Sequence, residues 1–156
     1  MISLVVAHDE QRAIGYKGWM PWNLPEDLKC FKQITLHQKI VMGRVTFSSL
    51  KKPLADRFTY VVTKKKDYKV PYDNVCVVED FIALLEEYKK KEEILFVCGG
   101  ALIYEQALPY VDEMWISLVD GKHSADTYFP AYNKEEFNIE SKQKKDGFTL
   151  LHYVRK

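Results

Sequence analysis

Phe96-Val97-Cys98-Gly99-Gly100-Ala101-Leu102-Ile103-Tyr104 joins a short apolar run to paired glycines and then to a helical pattern. An uninterrupted apolar run of this length predicts a strand covered on both faces. The glycines permit a tight turn, and the helix that follows runs over about residues 101–108 until Pro109 stops it. Such a turn suits a pyrophosphate resting on main-chain N–H groups. The G-x-G-x-x-G spacing is absent, because positions 101 and 102 are alanine and leucine. A close-packed strand–helix turn without a ligand accounts for the same residues.

Outward from this stretch the alternation repeats. Apolar runs at residues 2–7, 40–42, 58–62, 75–78, 94–98 and 114–119 are rich in valine and isoleucine and bounded by polar or turn residues, so they read as strands covered on both faces. A helical pattern spans residues 25–36, with Pro25 suited to the first turn. Another places Phe81, Leu84, Leu85 and Tyr88 on one stripe, after Asp80 as its cap and before the charged end Lys89-Lys90-Lys91. Strands alternating with helices predict an α/β fold with a mostly parallel sheet. No convincing helix follows Pro109. Residues 137–141 alternate, Asp146-Gly147 signals a tight turn, and residues 148–154 read as a strand, which predicts an antiparallel hairpin closing one edge.

A chain of 156 residues, 47 % apolar and 29 % charged, fits one globular domain spanning 1–156, without repeats, linkers or low-complexity segments. Its 23 basic and 22 acidic residues give a net charge of +1, so there is no basic field to attract nucleic acid or acidic lipid. Cys30, Cys76 and Cys98 are odd in number and lack C-x-x-C spacing. They argue against a disulfide framework or zinc site and fit a reducing compartment. No apolar run approaches the roughly 20 residues of a membrane span. The run at residues 2–7 is too short for a signal peptide and has no basic leader, so cytoplasm is the expected location.

Three further patterns carry chemistry. In Met20-Pro21-Trp22-Asn23-Leu24-Pro25-Glu26-Asp27-Leu28 a carboxylate sits in the first turn of the helix. Helical spacing sets Asp27, Phe31 and Ile34 on one side, flanked by Leu28 and Thr35. An acid facing apolar neighbours is costly unless it has a partner. The plainer reading is that Asp27, like Glu26, favours the positive end of the helix dipole. Val41-Met42-Gly43-Arg44-Val45-Thr46-Phe47 is a second buried strand ending in glycine, then a basic residue and a helix start. Alone it is an ordinary strand–helix turn, but two such turns in one small α/β chain favour a dinucleotide across the strand ends. In Lys52-Pro53-Leu54-Ala55-Asp56-Arg57, Arg57 is either a surface partner of Asp56 or a bidentate clamp for a carboxylate.

Together these pieces resemble dihydrofolate reductase, from Ile2 to the C-terminus. The signatures are Ala13-Ile14-Gly15, Met20-Pro21-Trp22-Asn23-Leu24-Pro25 with Asp27, Val41-Met42-Gly43-Arg44 with Thr46-Phe47, and Pro53-Leu54 with Arg57. Downstream stand Gly99-Gly100 with Ile103-Tyr104 and Asp126-Thr127-Tyr128-Phe129-Pro130. The resemblance implies an eight-stranded, mostly parallel sheet with an antiparallel C-terminal hairpin and four flanking helices. It implies a monomer that reduces 7,8-dihydrofolate to tetrahydrofolate with NADPH and binds antifolate-type small molecules.

Site roles follow from the resemblance by position. Asp27 would hold the amino-pyrimidine edge of the pterin and raise the ring's proton affinity, with Trp22 and Tyr104 beside the reaction. Val5, Val6 and Ala7 would line the pterin and nicotinamide. Leu28, Phe31, Leu50 and Leu54 would hold the aminobenzoyl ring, and Arg57 the α-carboxylate of the glutamate tail. As apolar residues, the four that hold the ring equally suit a core. Thr46, Gly99, Gly100 and Ile103 would contact the cofactor, with Ile14, Gly15, Gly43, Val45, Ala101 and Leu102 near them and a cis peptide at Gly99-Gly100. Arg44, Thr63 and Lys64 would surround the adenosine 2′-phosphate, which predicts NADPH over NADH. Residues 10–24 would form a mobile lid.

The chain departs from the family pattern at four places. Lys51 stands where a glycine is usual, Cys98 where an aliphatic or aromatic residue flanks the pterin, and Ser117 where a threonine commonly links to the carboxylate. Leu102 takes a position that is basic in some members. A same-fold reductase acting on a pyrimidine intermediate of riboflavin synthesis would share the glycine turns without needing Trp22, Asp27 and Arg57 together. A non-catalytic binding module would tolerate loss of Asp27, and a flavodoxin-like signalling domain would leave the block from Met20 to Leu28 unexplained.

Overall fold

The computed structural model describes all of residues 1–156. In chain order it contains β1 (Ile2–His8), β2 (Ala13–Gly15), α1 (Pro25–Thr35), β3 (Lys39–Gly43), α2 (Arg44–Ser48), β4 (Phe58–Val62) and β5 (Val75–Val78). Then follow α3 (Phe81–Lys89), β6 (Leu95–Val97), α4 (Ala101–Ala107), β7 (Glu113–Val119), β8 (Thr127–Tyr128), β9 (Phe137–Lys144) and β10 (Phe148–Arg155). Eight strands form one sheet in the order β5-β4-β3-β6-β1-β7-β10-β9. The pairs from β5 through β7 are parallel, and β10 pairs antiparallel with both β7 and β9. Sheet, closing hairpin and four α-helices are those expected.

The sheet separates two cores because side chains alternate along each strand. Ile2, Leu4 and Val6 of β1, Leu95 and Val97 of β6, and Val41 of β3 face one core, which α3 closes with Phe81, Leu84, Leu85 and Tyr88. Val5, Phe96, Ile40 and Met42 point the other way and pack with Phe47 and Val61. Asp80 caps α3 by accepting the Ala83 N–H at 3.0 Å.

One expectation needs correction. The run at residues 75–78 does not form a strand covered on both faces: β5 is the last strand of the sheet, and Cys76 and Val77 are exposed. The α-helix before Pro109 ends at Ala107 as expected, and a 3₁₀ turn, Leu108–Tyr110, follows it. The structure also adds a two-stranded sheet of β2 with β8, pairing Ala13 with Tyr128 and Gly15 with Thr127. Strands of three and two residues are too short to show a period.

The C-terminal ends of β1, β3 and β6 lie side by side, with Cys98 N–H donated to Val41 O at 2.9 Å and Gly43 N–H to Gly99 O at 2.9 Å. Open α/β sheets bind ligands at such strand ends. No helix is long and apolar enough to cross a membrane, and all three cysteines are free thiols.

Candidate active site

Pro25 starts α1, and the Leu24 carbonyl accepts the N–H groups of Asp27 and Leu28. That first turn aims Asp27 into a cavity of about 200 Å³. Val5, Val6 and Ala7 of β1 line it from below, and Asp27, Leu28, Phe31 and Ile34 of α1 from above. Cys98, Tyr104 and Ser117 complete the walls foreseen from the sequence.

Asp27 is only 7 % exposed. Burial raises its pKa above the ordinary carboxylate value, and the Ser117 hydroxyl beside it pulls the other way. An acid in a largely apolar cavity favours a ligand that brings its own hydrogen-bond donors.

Tyr104 donates its hydroxyl to Val5 O at 2.8 Å and packs T-shaped on Phe129, 5.0 Å between centroids. Burial keeps it a neutral phenol, its pKa far above the ordinary value. The Cys98 thiol points to Phe96 O at 3.5 Å and is pushed up to about 12 by burial, so it presents a neutral, polarizable wall.

Other expected residues lie outside this cavity. Leu50 and Leu54 pack on the same core as Phe31, Ile34 and Cys98 without lining the space. Trp22 packs, with Ala7 and Trp115, on Cys30, Val119, Phe148 and Leu150, and its indole N–H is buried without a partner. Arg57 borders a separate groove and is 8 % exposed, so it is not a loose surface partner of Asp56. Its Nε–H goes to Ala55 O at 2.9 Å and its Nη1 to the Thr35 hydroxyl at 3.2 Å. Two of a guanidinium's five donors are thereby used. Thr35 ends α1, so Arg57 stands about 12 Å along the helix axis from Asp27. Lys51 is not among the residues of positive φ, so the lysine there meets no left-handed strain; Asp56 takes that conformation, with φ 59°.

Gly43, Arg44, Val45, Thr46, Thr63, Gly100, Ala101, Leu102 and Ile103 line a second cavity of about 400 Å³. Its two glycine turns are packed as closely as they allow. A Cβ on Gly43 would come within 3.3 Å of Ile103 Cγ1, and one on Gly100 within 3.2 Å of Thr46 Oγ1. The Gly99-Gly100 peptide is cis. A third space of about 600 Å³ continues past Val62 and Lys64 to Ile103 and Gln106. Ile14 and Gly15 border none of these spaces: Ile14 packs on the larger core, and Gly15 lies against Thr127.

Sequence reasoning passed over Met20, Cys30, Trp115 and Leu150 as cavity residues, and Val62 and Gln106 as groove residues. Two had a signal. Trp115 is two positions from Ser117 on one strand, and Cys30 lies one helical turn beyond Asp27. Leu150 reaches the site through its register opposite Ser117, a pairing that only the closed hairpin creates.

A family model described as dihydrofolate reductase matches residues 1–154. A dihydrofolate reductase of Staphylococcus aureus (strain MSSA476) is 35 % identical over 162 aligned positions, covering 99 % of this chain and 98 % of the relative. Dihydrofolate reductase HdrB of Haloferax volcanii is also 35 % identical, over 98 % of this chain and 82 % of its own length. Among solved structures, the dihydrofolate reductase of Enterococcus faecalis complexed with NADP(H) and RAB-propyl superposes with a TM-score of 0.88. It has 29 % identity and covers 99 % of this chain and 96 % of that one.

Proposed function

The chain belongs to the dihydrofolate reductase family, and from that premise we propose that it reduces 7,8-dihydrofolate to 5,6,7,8-tetrahydrofolate with NADPH, as a monomeric single domain spanning 1–156. The observation that carries the reading is Asp27, a buried carboxyl facing an apolar cavity beside two glycine turns.

Asp27 accepts the amino-pyrimidine edge of the pterin and draws proton density toward the ring nitrogen beside the reducible bond, with water delivering the proton. Its raised pKa fits a group that shares a proton with its ligand. Val5, Val6, Ala7 and Cys98 hold the ring flat, and Leu28 and Phe31 receive the aminobenzoyl group, with Leu50 and Leu54 behind them. Arg57, with donors to spare and about 12 Å further along α1, takes the glutamate α-carboxylate. Tyr104 shapes the wall between pterin and nicotinamide and gives up no proton, because its hydroxyl is bound to Val5 O.

The residues present suit the cofactor. At Gly43 and Gly100 a Cβ would crowd Ile103 and Thr46, so both turns stay as bare backbone, which suits close approach by a pyrophosphate. Thr46, Ala101 and Ile103 hold it there, while Arg44, Thr63 and Lys64 meet a 2′-phosphate and so favour NADPH over NADH. Bound there, NADPH supplies the hydride for the imine carbon of the pterin. Residues 10–24, with Ile14 and Gly15, close over the nicotinamide and exclude water.

Loss of NADPH absorbance in the presence of dihydrofolate tests this directly. Consumption is expected only when both are present, and about tenfold less efficiently with NADH, the worth of one charge-assisted contact. Consumption independent of dihydrofolate, or equal efficiency with NADH, contradicts the reading.

A further inference from the structure

One side chain on the β7–β8 connection touches Asp9, just before residues 10–24, and Trp22, near their end. His123 donates its main-chain N–H to Asp9 Oδ2 at 2.8 Å, and its Nδ1 lies 3.1 Å from the same oxygen. The other oxygen accepts the N–H groups of Gln11 and Ala13, both at 2.9 Å. Asp9 is completely buried. A carboxylate persists there only because donors fill its lone pairs. Burial alone would raise its pKa; the bonds from Ala13, His123 and Gln11 outweigh that and hold it below the ordinary value. An ionised carboxylate only accepts, so Nδ1 of His123 carries a proton.

At the other end of the segment, the imidazole meets the Trp22 indole in a T-shaped contact, 5.2 Å between centroids and 70° between planes. Trp22 packs on the cluster containing Cys30 and Leu150, both of which line the Asp27 cavity. The middle of the segment is tied separately: Asp126 accepts the Lys17 N–H at 2.9 Å and donates its own N–H to Gly15 O at 3.0 Å.

We infer that His123 is a positioning residue for the reduction, pinning the entry of the lid through Asp9 and its exit through Trp22. The inference rests on the reading of residues 10–24 as a lid in dihydrofolate reduction. Two substitutions separate its contacts. His123→Phe keeps a ring against Trp22 and removes the side-chain donor to Asp9. His123→Asn keeps a donor and removes the ring.

N–H exchange in the ligand-free protein, read with single-turnover reduction, is the test. His123→Phe is expected to speed exchange at the amides of residues 10–13 about tenfold, the worth of one hydrogen bond to a charged group, with the buried Trp22 indole N–H unchanged. His123→Asn is expected to do the reverse, and neither alters exchange in β7 or β10. Both are expected to slow single-turnover reduction by about tenfold. Lid exchange and turnover within about twofold of the parent in both variants overturn the inference, as does faster exchange throughout the sheet, which marks a residue that only supports stability. If the parent protein does not reduce dihydrofolate with NADPH, the functional reading falls, and the exchange pattern still decides whether His123 pins the segment.

Discussion

Asp27 sits where its charge is disfavoured, and that has a consequence for stability as well as chemistry. Because burial raises its pKa in the folded chain, the native state holds that proton more readily than the unfolded chain does. The stabilisation is therefore complete below the ordinary carboxylate value of about 4 and is lost as pH rises through the raised value. Asp27→Asn, which never ionises, is expected to melt about 2–4 °C higher than the parent at neutral pH, with the gap closing in acid. A thermal scan across pH checks both parts. Arg57→Lys is expected to raise KM for dihydrofolate about tenfold with kcat nearly unchanged, since a lysine cannot grip a carboxylate bidentately; steady-state kinetics reads this. Helix spacing put Asp27 on one side with Phe31 and Ile34, but the helix dipole explained an acid there as well, and only the family resemblance assigned it a site role. Leu50 and Leu54 were not separable from core residues, since apolar side chains look alike in a sequence whether they wall a cavity or fill a core.

At the scale of elements, the two strand–glycine–helix turns shape the cavity at Gly43 and Gly100, and the capped helix α3 closes the larger core. Gly43 has an ordinary φ of −74°, so alanine there meets no backbone strain, only the crowding of Ile103. Gly43→Ala is expected to raise KM for NADPH about tenfold, an overpacking cost of about 1–3 kcal/mol falling on the shared wall. Asp80→Ala removes the cap of α3 and is expected to cost about 1 kcal/mol in denaturant unfolding. The stripe of Phe81, Leu84, Leu85 and Tyr88 could be read in the sequence because one face of a long enough helix repeats several times. The pair β2 and β8 could not, because its five residues in total are held by partners more than a hundred positions apart.

For the whole molecule, the fold brings residues of β1, β3, β4, β7 and β10 together with α1, α2 and α4 around two cavities. A cofactor that binds the folded chain alone stabilises it by about 2.7 kcal/mol at a hundredfold excess over Kd. NADPH is thus expected to raise Tm by about 5–10 °C at that excess, and NADH by less at equal concentration, in a thermal shift series. Residues on separate elements, such as Leu150 opposite Ser117, become neighbours only through this closure, which is why composition and spacing left them out.

If the buried Asp27 carboxyl drives protonation of the pterin, the rate of dihydrofolate reduction by Asp27→Asn across pH shows it. At neutral pH the variant is expected to bind dihydrofolate and reduce it at least about a hundredfold more slowly than the parent, recovering as acid supplies the proton. Undiminished reduction by the variant at neutral pH would mean that Asp27 has no part in the protonation.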